Sequence, residues 1–398
     1  MDSLITAAAC ALAAGDPLAA LNRVALREDP PALALRGIAV AQLGDFSRAR
    51  ALLRQAARAF SVHEPLERAR CQVAEAEVAL ASRELNWPTE PLEQATQVLQ
   101  RHGDRINAAH ARYLLIRRAL LIGKLDEASA SLGSLEPNSL PAPLRAVHWL
   151  IASGIAVRRL QAGVARAALG RAGEAAAASG IPALRAEVER AAGLLDAPAG
   201  RRIDRQISRL LSLDEVERLL HSDALVVDAC RNRVGGLSLG SRPVLFALAR
   251  VLAEAWPGDV SRSELIGRVF RTRHPDDTHR ARLRVEIGRL RRLLPPLAGI
   301  ESTPRGYLLT AANPVVLAPP LDDANAEVLA LLSDGQAWSS SALALALDTS
   351  QRSVQRALEV LAEAGRVQAL GQGRARRWTL LPAPGFATTL LLPAPFGA

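Results

Sequence analysis

The stretch RLRVEIGRLRRLL, residues 282–294, sets five arginines and one carboxylate, Glu286, among seven apolar or small residues. A guanidinium donates two parallel hydrogen bonds to guanine O6 and N7, or binds phosphate oxygens. Arginines along one helix face therefore suit recognition of nucleic acid rather than bond-making chemistry. On a helical wheel Leu283, Ile287, Leu290 and Leu294 fall at i, i+4, i+7 and i+11, a narrow stripe that a core must cover. Thr278, Arg282, Val285, Arg289 and Arg292 cluster on the opposite side, while Arg280, Arg284 and Arg291 flank the stripe. A solvated surface helix is the bland alternative. A membrane-surface helix would need a broader apolar side than this stripe leaves once a core has used it.

Other groups with chemical potential are scattered. Asp276 and Asp277 stand near His274 and His279 and could be imagined as a metal site, but carboxylates at this position more readily cap the positive start of the arginine helix. His63, His102, His110 and His148 have no carboxylate or cysteine at ligand spacing and read as surface or packing residues. The sequence holds no Gly-x-x-x-x-Gly-Lys, His-Glu-x-x-His or Cys-x-x-Cys motif. A protein without enzymatic activity, cofactor or metal is expected. Cys10, Cys71 and Cys230 are far apart, which fits a reducing compartment. No apolar run reaches the roughly eighteen residues of a membrane span, so a cytoplasmic protein that does not engage a membrane is expected.

The elements that must position the arginine helix follow from length and charge. With 398 residues the chain exceeds what one core supports, so several domains are expected. The net charge is +9, from 49 basic and 40 acidic groups, and residues 228–311 alone carry 15 basic and 8 acidic groups. Most of the positive excess is thus in the segment that contains the arginine helix.

Residues 1–196 are rich in Ala, Leu and Arg, with apolar spacings of three and four that predict helices. Breaks recur near Gly44, Glu84, Gly123 and Ala162, separated by 40, 39 and 39 residues, a period suited to stacked helical hairpins. Small residues five positions on (Ala49, Ala128 and Ala167) would let paired helices approach. The phrases LGDFSRARALLRQA and IGKLDEASASL resemble the turn of tetratricopeptide repeats, which implies a concave helical array that takes a protein or small-ligand effector. An irregular helical bundle is the alternative. Residues 197–223 open with a Pro/Gly breaker and predict a helical connector.

In 224–311, ALVVDACRNRVGG predicts a strand and turn, LSL a short strand, and Ser241 with Pro243 the start of an apolar-periodic helix. Ser261 and Glu264 stand as in a capping box before a second helix. The arginine helix is third, and GIESTPRGYLLT predicts a hairpin turning around Pro304 to Gly306. With LSL, Arg242-Pro243, SRSEL, V-x-I-x-R-L-R-R-L at 285–293 and Arg305-Gly306-Tyr307, this segment resembles the DNA-binding domain of the OmpR/PhoB response-regulator family. The resemblance implies a winged helix-turn-helix whose recognition helix, 278–294, enters the major groove, with a wing at 300–310. Arg305 would then contact phosphate or the minor groove. The wing is shorter than that family's usual one, and no receiver domain precedes it.

Residues 312–321 are proline-rich and uncharged and read as a stiff linker. In 322–381, NAEVLALLSDG, SSSALALAL and SQRSVQRALEVLAEAG predict three helices, and RVQALGQGRARRWTLL predicts two strands. The third-helix phrase resembles the DeoR/MarR-like winged-helix regulators. Val354, Leu358 and Leu361 would face the core, with Arg352, Gln355, Arg356 and Glu359 outward and Arg374, Arg376 and Arg377 in the wing. With 6 basic and 7 acidic groups this segment should attract phosphate weakly, so protein contact is its alternative role. The tail, 382–398, is apolar and proline-rich.

The expected fold is mainly α: a tetratricopeptide-like helical hairpin array followed by two α+β winged helix-turn-helix domains. The expected function is sequence-specific transcriptional regulation on double-stranded DNA, by a homodimer, with signal input through the array. Predicted DNA-binding residues are Thr278, Arg282, Arg289, Arg292 and Arg305, joined by Arg352, Gln355, Arg356, Arg374 and Arg376. A scaffold in which the same domains assemble protein complexes is the alternative.

Overall fold

The computed structural model describes residues 2–380 apart from 206, 271, 273–275, 295–297, 321–324, 333–336, 348, 374 and 375. The chain is mainly helical, and among the described residues its small sheets all lie after residue 199. It divides into two units. The first comprises the described parts of 1–159, 163–194 and 327–398, and the second is formed by 160–162 and 195–326.

The first unit begins with α1 (Ser3–Ala13), α2 (Pro17–Val24), α3 (Pro30–Gln42), α4 (Phe46–Ala59), α5 (Pro65–Ala81), α6 (Glu90–Arg101), α7 (Arg105–Leu121), α8 (Leu125–Gly133), α9 (Ala142–Arg158), α10 (Ala162–Ser179) and α11 (Pro182–Asp196). Each helix from α1 to α9 packs on the next, and α1, α3, α5, α7 and α9 also pack in series. Asp2, Asp16, Asp29, Asp45 and Asp104 accept amide N–H groups at the starts of α1, α2, α3, α4 and α7. Each such cap contributes about 1 kcal/mol to placing a turn.

The recurrent breaks are left-handed residues: Gly44, Arg83, Gly123 and Leu160, with φ of 92°, 53°, 84° and 59°. Ala49 and Ala128 are fully buried, as expected. Ala167 is exposed, which corrects its predicted role. The fourth turn falls on Leu160 rather than Ala162, so the small buried residue five positions on is Ala165. Of the four histidines, His63 and His102 are exposed. His110 is buried 3.0 Å from the Glu77 carboxylate, and His148 is buried 3.1 Å from the Tyr113 hydroxyl.

The second unit contains β1 (Gly200–Asp204), β2 (Ile207–Leu211), α12 (Leu213–Leu220), β3 (Val226–Asp228), β4 (Arg233–Val234) and β5 (Leu237–Ser238). Then come α13 (Pro243–Ala255), β6 (Val260–Ser261), α14 (Arg262–Phe270), α15 (Asp277–Leu293), β7 (Gly299–Ser302), β8 (Gly306–Thr310) and β9 (Val315–Ala318). Two sheets result, one ordered β2-β1-β9-β3-β4-β5 and one ordered β6-β8-β7.

Three sequence expectations change here. The segment 197–223 is a β-hairpin followed by a single helix, because helical spacing begins only after Ser212, whose capping box with Glu215 is complete. Within the proposed linker 312–321, Val315, Val316, Leu317 and Ala318 form a fully buried strand, parallel to β3 and antiparallel to β1. Its prolines bound this strand instead of stiffening a spacer. A side chain at Gly200 would meet Leu317 at 2.9 Å and Val216 at 3.1 Å, so the approach of β1 to β9 and α12 requires glycine. Finally, α13 starts at Pro243 with Arg242 in the cap position and no side-chain cap from Ser241.

The core of this unit is closed by α13, α14 and the predicted stripe of α15. Leu283, Ile287, Leu290 and Leu294 are each at most 1% exposed. Burying one such side chain contributes about 1.5–3 kcal/mol.

The chain then returns to the first unit as α16 (Ala326–Leu332), α17 (Ser340–Ala346), α18 (Gln351–Glu363), β10 (Val367–Leu370) and β11 (Arg377–Leu380). Ser339 caps α17, Ser350 caps α18, and Gly365 ends α18 at a φ of 66°. This C-terminal module shares one core with the array. Val328, Leu329, Trp338, Leu343, Leu358 and Trp378 join Leu80, Leu85, Leu92 and Leu99 in a single hydrophobic cluster. Trp338 and Trp378 also exchange backbone hydrogen bonds of 2.8 Å. The tail 382–398 lies outside the described residues.

Candidate nucleic-acid interface

The start of α15 is fixed by Asp276, whose carboxylate accepts from the His279 backbone N–H at 2.9 Å, the Thr278 hydroxyl at 2.6 Å and the His279 ring at 2.5 Å. These donors, the Thr278 hydroxyl foremost, hold its carboxyl well below the usual carboxylate range. Asp277 pairs with Arg280 at 3.1 Å. Both carboxylates thus act at the helix start, as the capping reading has it, while His274 lies outside the described residues. The hydroxyl of Thr278, a predicted DNA contact, is engaged in this cap, although the residue is exposed.

Along α15, Arg282, Arg284, Arg289, Arg291 and Arg292 are all exposed, as is Val285. Arg282 lies over the Phe270 ring at 4.6 Å. Arg289, its guanidinium exposed, pairs with the largely covered carboxylate of Glu286 at 2.9 Å. Among the described residues Arg292 reaches only the Gly288 carbonyl of its own helix, at 3.4 Å. Three of the predicted contacts therefore project from one rigid helix. Arg289 and Arg292 also line a surface depression of about 520 Å³ together with Arg242, a residue that sequence reasoning did not select.

The β7–β8 hairpin is tied to this helix and to α14 by arginines. Arg291 donates to the Ile300 carbonyl and to the Ser302 hydroxyl, both at 2.8 Å. Arg262 donates to the carbonyls of Pro304 at 2.9 Å and Thr303 at 3.1 Å. Both guanidiniums stack on the Tyr307 ring, at 5.8 and 5.4 Å. A side chain at Gly306 would fall 1.7 Å from the Val260 carbonyl oxygen, so the Gly-Tyr pair is a packing requirement of the β6–β8 pairing. Arg305, at the hairpin tip, is exposed and 3.9 Å from Asp259. The clasp by Arg262 spans 42 residues and left no local signal in the sequence.

In the C-terminal module Arg352, Gln355 and Arg356 are exposed on α18. Gln355 and Arg376 line a cleft of about 650 Å³ with Glu84 and Trp87 from the turn after α5. The guanidinium of Arg376 lies 4.4 Å above Trp378. Arg374 falls outside the described residues. Arg377 holds the module to the array, donating to Glu84 at 2.6 Å and to the Ser82 carbonyl at 3.3 Å, and Glu84 also pairs with Arg50. Arg83 stacks on Trp338 at 5.4 Å. Among the described residues no three His, Cys, Asp or Glu side chains gather as metal ligands, and no helix is long and apolar enough to cross a membrane. No family model, no curated protein and no solved structure matches the chain.

Proposed function

We propose that this chain is a DNA-binding transcriptional regulator whose second unit is an OmpR/PhoB-like winged helix, with α15 in the major groove and the β7–β8 hairpin as its wing. The reading rests on one observation: α15 gives its whole apolar stripe to the core of its own unit and leaves an arginine face open to solvent. A helix so backed is rigid, and rigid guanidiniums discriminate base edges with little ordering cost. Arg282, Arg289 and Arg292 read bases or phosphate, and Arg305 follows the backbone from the hairpin tip. The helical array, read as tetratricopeptide-like, and the C-terminal module, read as a second winged helix, carry the signal input.

Duplex affinity measured against salt tests this reading. Each neutralised phosphate contributes about 0.9 to the slope of log affinity on log salt, so Arg282→Ala with Arg289→Ala lowers the slope by about 2. Duplex binding that is insensitive to salt would leave the scaffold reading in its place.

A further inference from the structure

The cleft between the 84–87 turn and the C-terminal module has donors that the protein does not satisfy. Trp87 Nε1 and Arg50 Nε are buried and find no acceptor among the described residues. Arg50 and Arg377 share the carboxylate of Glu84, Arg50 also reaches Glu75 at 3.5 Å, and Arg376 makes no ion pair among the described residues. This side of the cleft has donors in excess and calls for an anion rich in acceptors. From α18 the cleft receives Gln355 and Glu359, one helical turn apart, and Glu359 has no cationic partner among the described residues. That side accepts hydrogen bonds. A volume of about 650 Å³ suits a metabolite and is far too small for a duplex.

We infer that this cleft binds a small carboxylate that also donates hydrogen bonds, of amino-acid or sugar-acid size. Its carboxylate faces Arg50, Trp87 and Arg376, and its ammonium or hydroxyl groups face Glu359 and Gln355. Such a ligand bridges the array to α18 and tightens the module on its seat. That this is the input of the regulator rests on the reading proposed above; the binding itself does not.

The test is calorimetry on the full chain without DNA. L-Glutamine and D-gluconate are the two probes and distinguish an amino acid from a sugar acid; sorbitol lacks the carboxylate and acetate lacks the donors. One of the first two should saturate at one site per chain while neither control does. Trp87→Phe, which removes the indole N–H and keeps an aromatic ring under Arg118, and the exposed-site change Glu359→Gln should each weaken binding about tenfold. Failure of both probes to saturate at about 10 mM, or wild-type binding by both variants, overturns the inference. Neither residue belongs to the α15 face, so duplex affinity of the two variants at fixed salt should equal that of the parent. Intact duplex binding without ligand binding sinks this inference alone. Absent duplex binding sinks the regulator reading instead.

Discussion

Helices α15 and α18 are close to equivalent on paper: each is capped by a short polar residue, each hides a three- or four-residue apolar stripe, and each is followed by a pair of short strands. Their settings differ. The stripe of α15 is buried among residues of its own unit, whereas Val354, Leu358 and Leu361 of α18 enter a core continuous with array residues such as Leu80 and Leu92. Autonomy of a module is thus decided by where its core closes, which a helical wheel does not reveal.

The largest test of this contrast is truncation of Trp338, which is 1% exposed in the shared core. Trp338→Ala should cost about 3–5 kcal/mol and weaken the array together with the module, while Leu290→Ala should cost about 2–5 kcal/mol confined to the second unit. Cys71 reports which unit has opened. Burial pushes its thiol up to about 12, so alkylation at pH 8 requires the array to open. Faster labelling of Cys71 in Trp338→Ala but not in Leu290→Ala is expected. Equal protection in both variants would break the contrast.

A smaller effect separates the two helix faces on DNA. Arg289→Ala with Arg292→Ala should reduce the salt slope by about 2, whereas Arg352→Ala with Arg356→Ala, on a module without excess positive charge, should change it by less than about 1. Band-shift titrations at three salt concentrations decide this, and a larger loss from the α18 pair would reverse the assignment.

The smallest effect is in pH. Burial lowers the pKa of His148 below its ordinary value of 6.5, and its Nδ1 lies beside a Tyr113 phenol that burial keeps protonated. The unfolded chain therefore takes up a proton more readily than the folded one. The stabilisation is present above about pH 6.5 and declines as pH falls below it. The urea midpoint of the first unit should be lower at pH 5.5 than at pH 7.5, and His148→Gln should remove most of that difference.

Legibility in the sequence followed the range of the interactions. The stripe 283, 287, 290, 294, the span of α15 and the hairpin turn at 304–306 are encoded by neighbours a few residues apart, and these stand where the spacing predicts. Strand β9 was hidden because prolines beside Val315 and Ala318 resemble a linker when its partners, β1 and β3, are out of view. The seat of the C-terminal module was hidden for a stronger form of the same reason: Arg377 meets Ser82 and Glu84 across almost the entire chain. Arg291 looks like a further member of the arginine face, yet it spends its donors on the Ile300 carbonyl and the Ser302 hydroxyl of the hairpin, as Arg262 does on the carbonyls of its turn.

Strands β1 and β9 pair side by side, with Arg201 opposite Ala318. The polypeptide therefore enters the second unit and leaves it through adjacent hydrogen-bonded strands, as an inserted domain does, with its two ends stapled together. A unit built this way is a cassette. Its first and last strands hold each other, so the spacing of its two ends is fixed within the unit itself.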